Sequence, residues 1–263
     1  MRLPLLSLLP LAAAKTILPP QEPHHIFSNP SEQTAFKIPT SYESAILARR
    51  ILHLTPLGTL STIFPSSSQH ASSSSLEQRP TGLDGIPIGL MDYIADCEST
   101  GNPTILAINI ATSFKNVASG SNISLSLQWT PPYPPSSRIS LFSSANPSQY
   151  SAANLPRFSL LGYLEPIPEE EVEANDIGSC FVESHKDAKY WLPGNKIHAS
   201  EWVRLVVREV YWIGGFGDRA YIGWIPVEDW RNVSKAEWKG VRLPGEKKGW
   251  REWGAEVLGG WEL

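Results

Sequence analysis

Charge is scarce in this chain: 18% of its 263 residues are Asp, Glu, Lys or Arg, with 22 basic against 26 acidic. No Lys/Arg stripe interleaves with aromatics, so a nucleic-acid partner is not indicated. Cysteine occurs only at Cys97 and Cys180, in no Cys-x-x-Cys pair, and His24 and His25 sit in a proline-rich leader. That pattern argues against a zinc site. Past the N-terminus no stretch is long and apolar enough for a membrane helix. No G-x-S-x-G elbow is present, so abundant serine does not point to a hydrolase. No internal repeat is visible.

One motif present is misleading. Gly215-Phe-Gly217-Asp-Arg-Ala220 fits G-x-G-x-x-A and follows a strand pattern. A dinucleotide site needs a helix next, with its N-terminus facing the pyrophosphate. Tyr221-Ile-Gly-Trp-Ile225 is strand-like instead, so 214–218 reads as a tight hairpin turn. The cluster Glu169, Glu170, Glu171 and Glu173 reads as a solvated helix face rather than an acid/base pair.

The N-terminus carries an address. Met1-Arg2 is a short positive region, 3–11 is an apolar run broken by Pro4 and Pro10, and Ala12-Ala13-Ala14 is a small-residue cleavage site. Residues 1–14 therefore read as a secretory signal peptide, too short to anchor a chain in a bilayer. Residues 15–38, with Pro19-Pro20, Pro23 and Pro30, read as an extended leader. In a secretory chain, Asn122-Ile-Ser and Asn232-Val-Ser are glycosylation sequons, whereas Pro blocks those at Asn102 and Asn146. The two cysteines fit either one Cys97–Cys180 disulfide or two buried thiols. The expected destination is extracellular, or a vacuole or lysosome.

The remainder suits one sizeable, strand-rich domain. Thr40-Ser-Tyr-Glu43 is a capping box opening a helix over 42–54, with Pro56 and Gly58 read as its stop. Strands are expected over 59–64, 86–94, 104–109, 124–129, 158–165, 202–213 and 221–225, and a helical turn over 113–118. Short helices are expected over 169–173, 177–185 and 226–230. In the long strand, Val203, Leu205, Val207 and Tyr211 alternate onto one face, with Trp202, Val206, Val210 and Trp212 on the other. The serine run over 66–75 reads as a loop.

At 113–118 the strand–turn–strand stretch places Ser113 and Lys115 at the mouth of a helical turn, where a hydroxyl, an ammonium and free N–H groups suit a phosphate. The stretch resembles the phosphate step of the FMN-binding split barrels, the pyridoxamine 5'-phosphate oxidase superfamily. That family carries Ser-Arg-Lys, then Asn-Pro, then a strand opening Val-Ser-Leu. Ser113, Lys115, Asn122, Leu125, Ser126 and Leu127 occupy the matching places, but Phe114 stands for the Arg and Ile123 for the Pro. Losing the Arg removes a charge-assisted phosphate contact. The strand over 85–93 also lacks the basic residues that grip FMN in the oxidases.

The C-terminal half resembles the CREG-like branch of that superfamily. His185-Lys-Asp-Ala-Lys-Tyr-Trp191, Glu209-Val-Tyr-Trp-Ile213, the Gly-Gly-Phe-Gly that follows and Ile225-Pro-Val-Glu-Asp-Trp-Arg-Asn-Val-Ser234 fall in that branch's order. Ala48-Arg49-Arg50 ahead of Gly58-Thr-Leu-Ser-Thr-Ile63 matches its N-terminal pattern. The resemblance implies a mainly β fold with peripheral helices, a split β-barrel, over residues 39–235. It also implies a homodimeric secreted or lysosomal glycoprotein that acts by binding rather than catalysis, with the sequon at Asn232 shared by the family. An FMN-dependent oxidoreductase, with Ser113 and Lys115 on the phosphate, is the alternative, and a haem- or small-ligand-binding barrel ranks third. Residues 236–263 form a Trp-rich extension outside the resemblance, whose Trp250, Trp253 and Trp261 are expected to pack on the barrel or a dimer mate, the alternative being an exposed aromatic patch for a protein or glycan partner.

Overall fold

The computed structural model describes residues 38–66, 79–134, 150–195 and 198–248. Residues 1–14, read above as a signal peptide, nearly all of 15–38, the serine run from Ser67, and Trp250, Trp253 and Trp261 lie outside the described residues.

Seven strands form one antiparallel sheet: β1 (Leu57–Ile63), β2 (Pro87–Ala95), β3 (Thr104–Ile108), β4 (Ile123–Gln128), β5 (Arg157–Pro166), β6 (Ser200–Ile213) and β7 (Ile222–Ile225). Their order is β3-β2-β1-β4-β5-β6-β7, and β3 also pairs with β6. That extra pairing closes six strands into a barrel and leaves β7 as an appendage on β6. The seam is weakest between β2 and β3, which share only Ile94↔Ile105 and Ala95↔Thr104. The first half of β2 is therefore bonded to β1 alone, and Leu90, which points to the barrel side, stays 41% exposed.

The barrel is filled from all its walls. Leu60, Ile94, Ile105, Leu125, Leu160, Leu205 and Val210 are fully buried in one cluster. Helix α1 (Ser41–Leu54) adds Ala45, Ala48, Ile51 and Leu52 to it. Thr40 starts α1 through a reciprocal capping box with Glu43, which satisfies two otherwise unpaired N–H groups. Helix α2 (Thr112–Ala118) packs on β1. Helices α3 (Glu169–Ala174) and α4 (Ile177–Ser184) lie outside the barrel, where Ile177 and Phe181 meet Ala95, Leu106 and Trp202 in a second cluster. After β7 come α5 (Val227–Asn232) and α6 (Lys235–Gly240). Among the described residues no helix is long and apolar enough to cross a membrane.

Three sequence expectations need correction. Gly58 does not end α1: it lies inside β1, where a Cβ would sit 2.3 Å from the Leu125 methyl, so it allows close packing in the barrel. The simple alternation in β6 breaks, because Leu161 pairs with Glu209 and Gly162 with Val207, leaving Arg208 as a bulge. Val203, Leu205 and Val207 face inward before it, and Val210 and Trp212 after it, so Tyr211 moves to the outer face. Gly162 permits this bulge, since a Cβ there would meet the Val206 carbonyl oxygen at 1.9 Å. The connection from β6 to β7 is also longer than a tight turn; the Gly214 N–H donates to the Tyr221 carbonyl at 3.0 Å and encloses the loop between them.

Among the described residues, 236–248 belong to the packed body. Ser234 caps α6 through a second reciprocal box with Glu237, and Trp238 and Leu243 join the main core. The Trp129 indole N–H donates to the Pro244 carbonyl, and Arg50 pairs with Glu246.

Candidate functional site

A groove of about 680 Å³ crosses the outer wall of the barrel. Strand register builds it. Thr59 pairs with Met91 on one side and Ser126 on the other; Ser126 pairs with Ser159, and Ser159 with Tyr211. Side chains alternate along each strand, so this transverse row faces outward while Leu60, Leu125 and Leu160 face the core. The next row holds Gln128, Arg157 and Ile213. Leu54, Thr55 and Pro56 from the α1–β1 junction form one wall, and Trp129 and Thr130 close an end.

The floor is polar but quiet. The Ser126 and Ser159 hydroxyls share a hydrogen bond at 2.8 Å. Among the described residues that line it, Arg157 is the single ion, and none is a His, carboxylate or Cys. A serine without a base beside it is a weak nucleophile, and Ser126 and Ser159 have only each other as side-chain partners here.

The phosphate step lies elsewhere. Neither Ser113 nor Lys115 lines the groove. Ser113 is 3% exposed, Phe114 is buried in the main core, and the Asn116 side-chain amide donates to the Thr62 hydroxyl at 3.0 Å. Lys115 is half-buried on α2, whose N-cap residue Ala111 offers no capping side chain. The face of α2 carrying Ser113 and Phe114 is thus turned to the protein, which does not fit a phosphate cradle.

The sequon asparagines Asn122 and Asn232 are both exposed. Asn122 precedes β4, and Asn232 ends α5, with the sequon hydroxyl of Ser234 engaged as the α6 cap. Cys97 and Cys180 form a disulfide, their Cα atoms 5.8 Å apart, that ties the end of β2 to α4. His185, singled out by its motif, is buried; its Nε2 lies 2.9 Å from the Ile94 carbonyl and its ring stacks on Tyr93. It docks the end of α4 on β2 rather than facing the groove.

Sequence reasoning missed a cluster beside the disulfide. Arg204 on β6 is met by Glu98 at 2.9 Å, by Glu165 at 3.3 Å and by Glu171. Glu171 reaches Arg204 while its side chain stays 46% exposed on the solvated helix expected for its run. Burial raises the Glu98 carboxyl above the usual range, Arg204 opposing and Glu171 and Glu165 adding to the rise. Arg49 is also buried; its guanidinium donates to the Trp230 and Ser99 carbonyls and lies 3.8 Å from Asp96. Both clusters unite residues distant in sequence, and only the Arg49-Arg50 pair inside an apolar helix pattern gave any hint. Among the described residues no group of His, Cys, Asp and Glu could hold a metal ion.

Residues 39–232 match the family described as CREG, beta-barrel. The chain belongs to the CREG β-barrel family. No curated protein sequence matches it significantly. Solved structures similar to this CREG chain include a heme-binding protein from Mycobacterium smegmatis, at 19% identity and TM-score 0.49 over 74% of this chain and 62% of that one. Atu2129, a protein of unknown function from Agrobacterium tumefaciens, is similar at 20% identity and TM-score 0.45 over 76% of this chain and 62% of the other. In both cases the match spans less than two thirds of the other protein's length. A putative pyridoxamine 5'-phosphate oxidase from Listeria innocua is similar at 10% identity and TM-score 0.34, over 65% of this chain and 96% of that one.

Proposed function

We propose that this CREG protein is a secreted or vacuolar/lysosomal glycoprotein, homodimeric, that acts by binding rather than by redox or hydrolytic catalysis. The observation that carries this reading is the separation of parts. Among the described residues the groove has no acid–base pair, and the α2 step that would hold an FMN phosphate turns Ser113 and Phe114 into the protein. In a flavoprotein the phosphate grip and the space for the ring adjoin. The signal-peptide pattern and the two exposed sequon asparagines support secretory processing. An exposed outer wall with Leu57, Met91 and Trp224 on it supports pairing of two copies.

The test is expression of the chain through a secretory host, followed by gel filtration with light scattering, glycosidase digestion and a visible spectrum. A dimer whose mass falls on removal of N-linked glycans, with no flavin absorbance and no uptake of added FMN, is expected. Lys115→Ala should leave that spectrum and the thermal midpoint unchanged. Stoichiometric flavin that is lost in Lys115→Ala would overturn the reading in favour of an FMN oxidoreductase.

A further inference from the structure

We propose that Lys247-Lys248 is a processing site, at which a secretory-pathway serine endoprotease specific for paired basic residues hydrolyses the Lys248–Gly249 peptide bond. The proposal rests on the secretory part of the reading above.

The sequence holds two side-by-side basic pairs, Arg49-Arg50 and Lys247-Lys248, and the structure treats them oppositely. Arg49 and Arg50 lie inside α1, 1% and 9% exposed. The Arg49 guanidinium donates to the Trp230 and Ser99 carbonyls, and Arg50 pairs with Glu246. A protease of this class must draw the chain out of any helix and seat both basic side chains in acidic pockets, so a buried helical pair is closed to it. Lys247 and Lys248 are both exposed. Among the described residues neither their backbone N–H groups nor their ammonium groups have a partner.

The residues just ahead of the pair are held firmly. The Trp129 indole N–H donates to the Pro244 carbonyl at 2.8 Å, and the Tyr133 N–H to the Gly245 carbonyl at 3.1 Å. Glu246 pairs with Arg50 and accepts from the Leu243 N–H at 3.1 Å. The last of these ties is at Glu246, so the basic pair begins where the anchored chain ends. A cut after Lys248 leaves Trp238, Leu243 and the Arg50–Glu246 pair in place, and the described core loses nothing. The protease's serine takes the Lys248 acyl group as Gly249 leaves with a free amine, and one water then releases the Lys248 carboxylate. The reaction separates residues 249–263, with Trp250, Trp253 and Trp261, from the barrel.

The test is expression of the full chain in a secretory host that carries such a protease and in the same host with that protease deleted. Intact mass is measured after removal of N-linked glycans. The product of the first host should end at Lys248, and that of the second should retain residues 249–263. Incubating the longer form with the purified protease should remove 249–263, leave the 49–50 pair uncut and leave the thermal midpoint unchanged. The double change Lys247→Gln with Lys248→Gln, at two exposed positions, should keep the segment in both hosts. A secreted, glycosylated chain that retains 249–263 in the protease-bearing host would overturn the proposal and leave the secretory reading standing. Equal trimming of the double variant would also overturn it, because the loss would then not depend on the basic pair. A chain that is neither exported nor glycosylated would overturn the secretory reading, and the proposal with it.

Discussion

Helix α1 and the pair α3–α4 are both accessories of one barrel, yet they are held on by different means. Helix α1 buries Ala45, Ala48 and Ile51 completely and merges with the barrel core. Helix α3 buries nothing and α4 buries only Ile177 and Phe181. The well-buried helix carries its polar ties inside, through Arg49 and Arg50. The poorly buried pair carries a disulfide and the Arg204 cluster outside. Where apolar area suffices, the added polar contacts fix orientation. Where it does not, covalent and ionic links substitute for area.

Removing one link from each side sharpens that contrast. Arg49→Ala should be the most damaging, by about 3–5 kcal/mol, because it strips the guanidinium from an Asp96 side chain only 4% exposed and orphans two carbonyls. Urea unfolding followed by tryptophan fluorescence should show one cooperative loss, since α1 is part of the core. Arg49→Met with Asp96→Asn should recover much of the difference, because no lone charge then stays buried. The paired change Cys97→Ala and Cys180→Ala comes next, at about 2–4 kcal/mol for a bridge of sequence separation 83. Here the first event should be local: limited proteolysis should cut between β5 and β6 while the barrel stays folded. A single global transition for the cysteine variant would break the comparison.

Much of this architecture was legible in the chain. The capping box at Thr40 and Glu43 and the period-two patterns mark nearly every element, because they depend on neighbours within a few residues. The same box at Ser234 and Glu237 was equally readable, and it starts a helix that carries Trp238 into the core. The inversion of β6 was not legible, since the bulge at Arg208 is permitted by Gly162 on another strand. The groove was hidden for a similar reason. Thr59, Ser126, Ser159 and Tyr211 come from four strands, and only register puts them in a row. Ser113 and Lys115 were visible as a motif, but the direction in which α2 turns them depends on Phe114 and Asn116 packing against the barrel.

The smallest effect expected is also the most specific, and it concerns the outer side alone. Around Arg204 three carboxylates face one guanidinium, and Glu98 Oε2 is buried with no hydrogen-bond partner. The folded state thus holds Glu98 protonated to higher pH than the unfolded chain does, burial being the largest cause. With more protons bound when folded, stability from this group is fully present below the ordinary Glu value, about 4.3, and falls as pH rises through the elevated folded value. Glu98→Gln removes the excess charge while keeping an oxygen for Arg204. It should raise the thermal midpoint by about 2–4 °C at pH 7 and leave it nearly unchanged at pH 4. The matching change on the α1 side, Asp96→Asn, should instead lower the thermal midpoint at pH 7, because it leaves the buried Arg49 guanidinium without its carboxylate. A gain for Glu98→Gln that is equal at both pH values would mean that packing, not charge, governs the outer cluster.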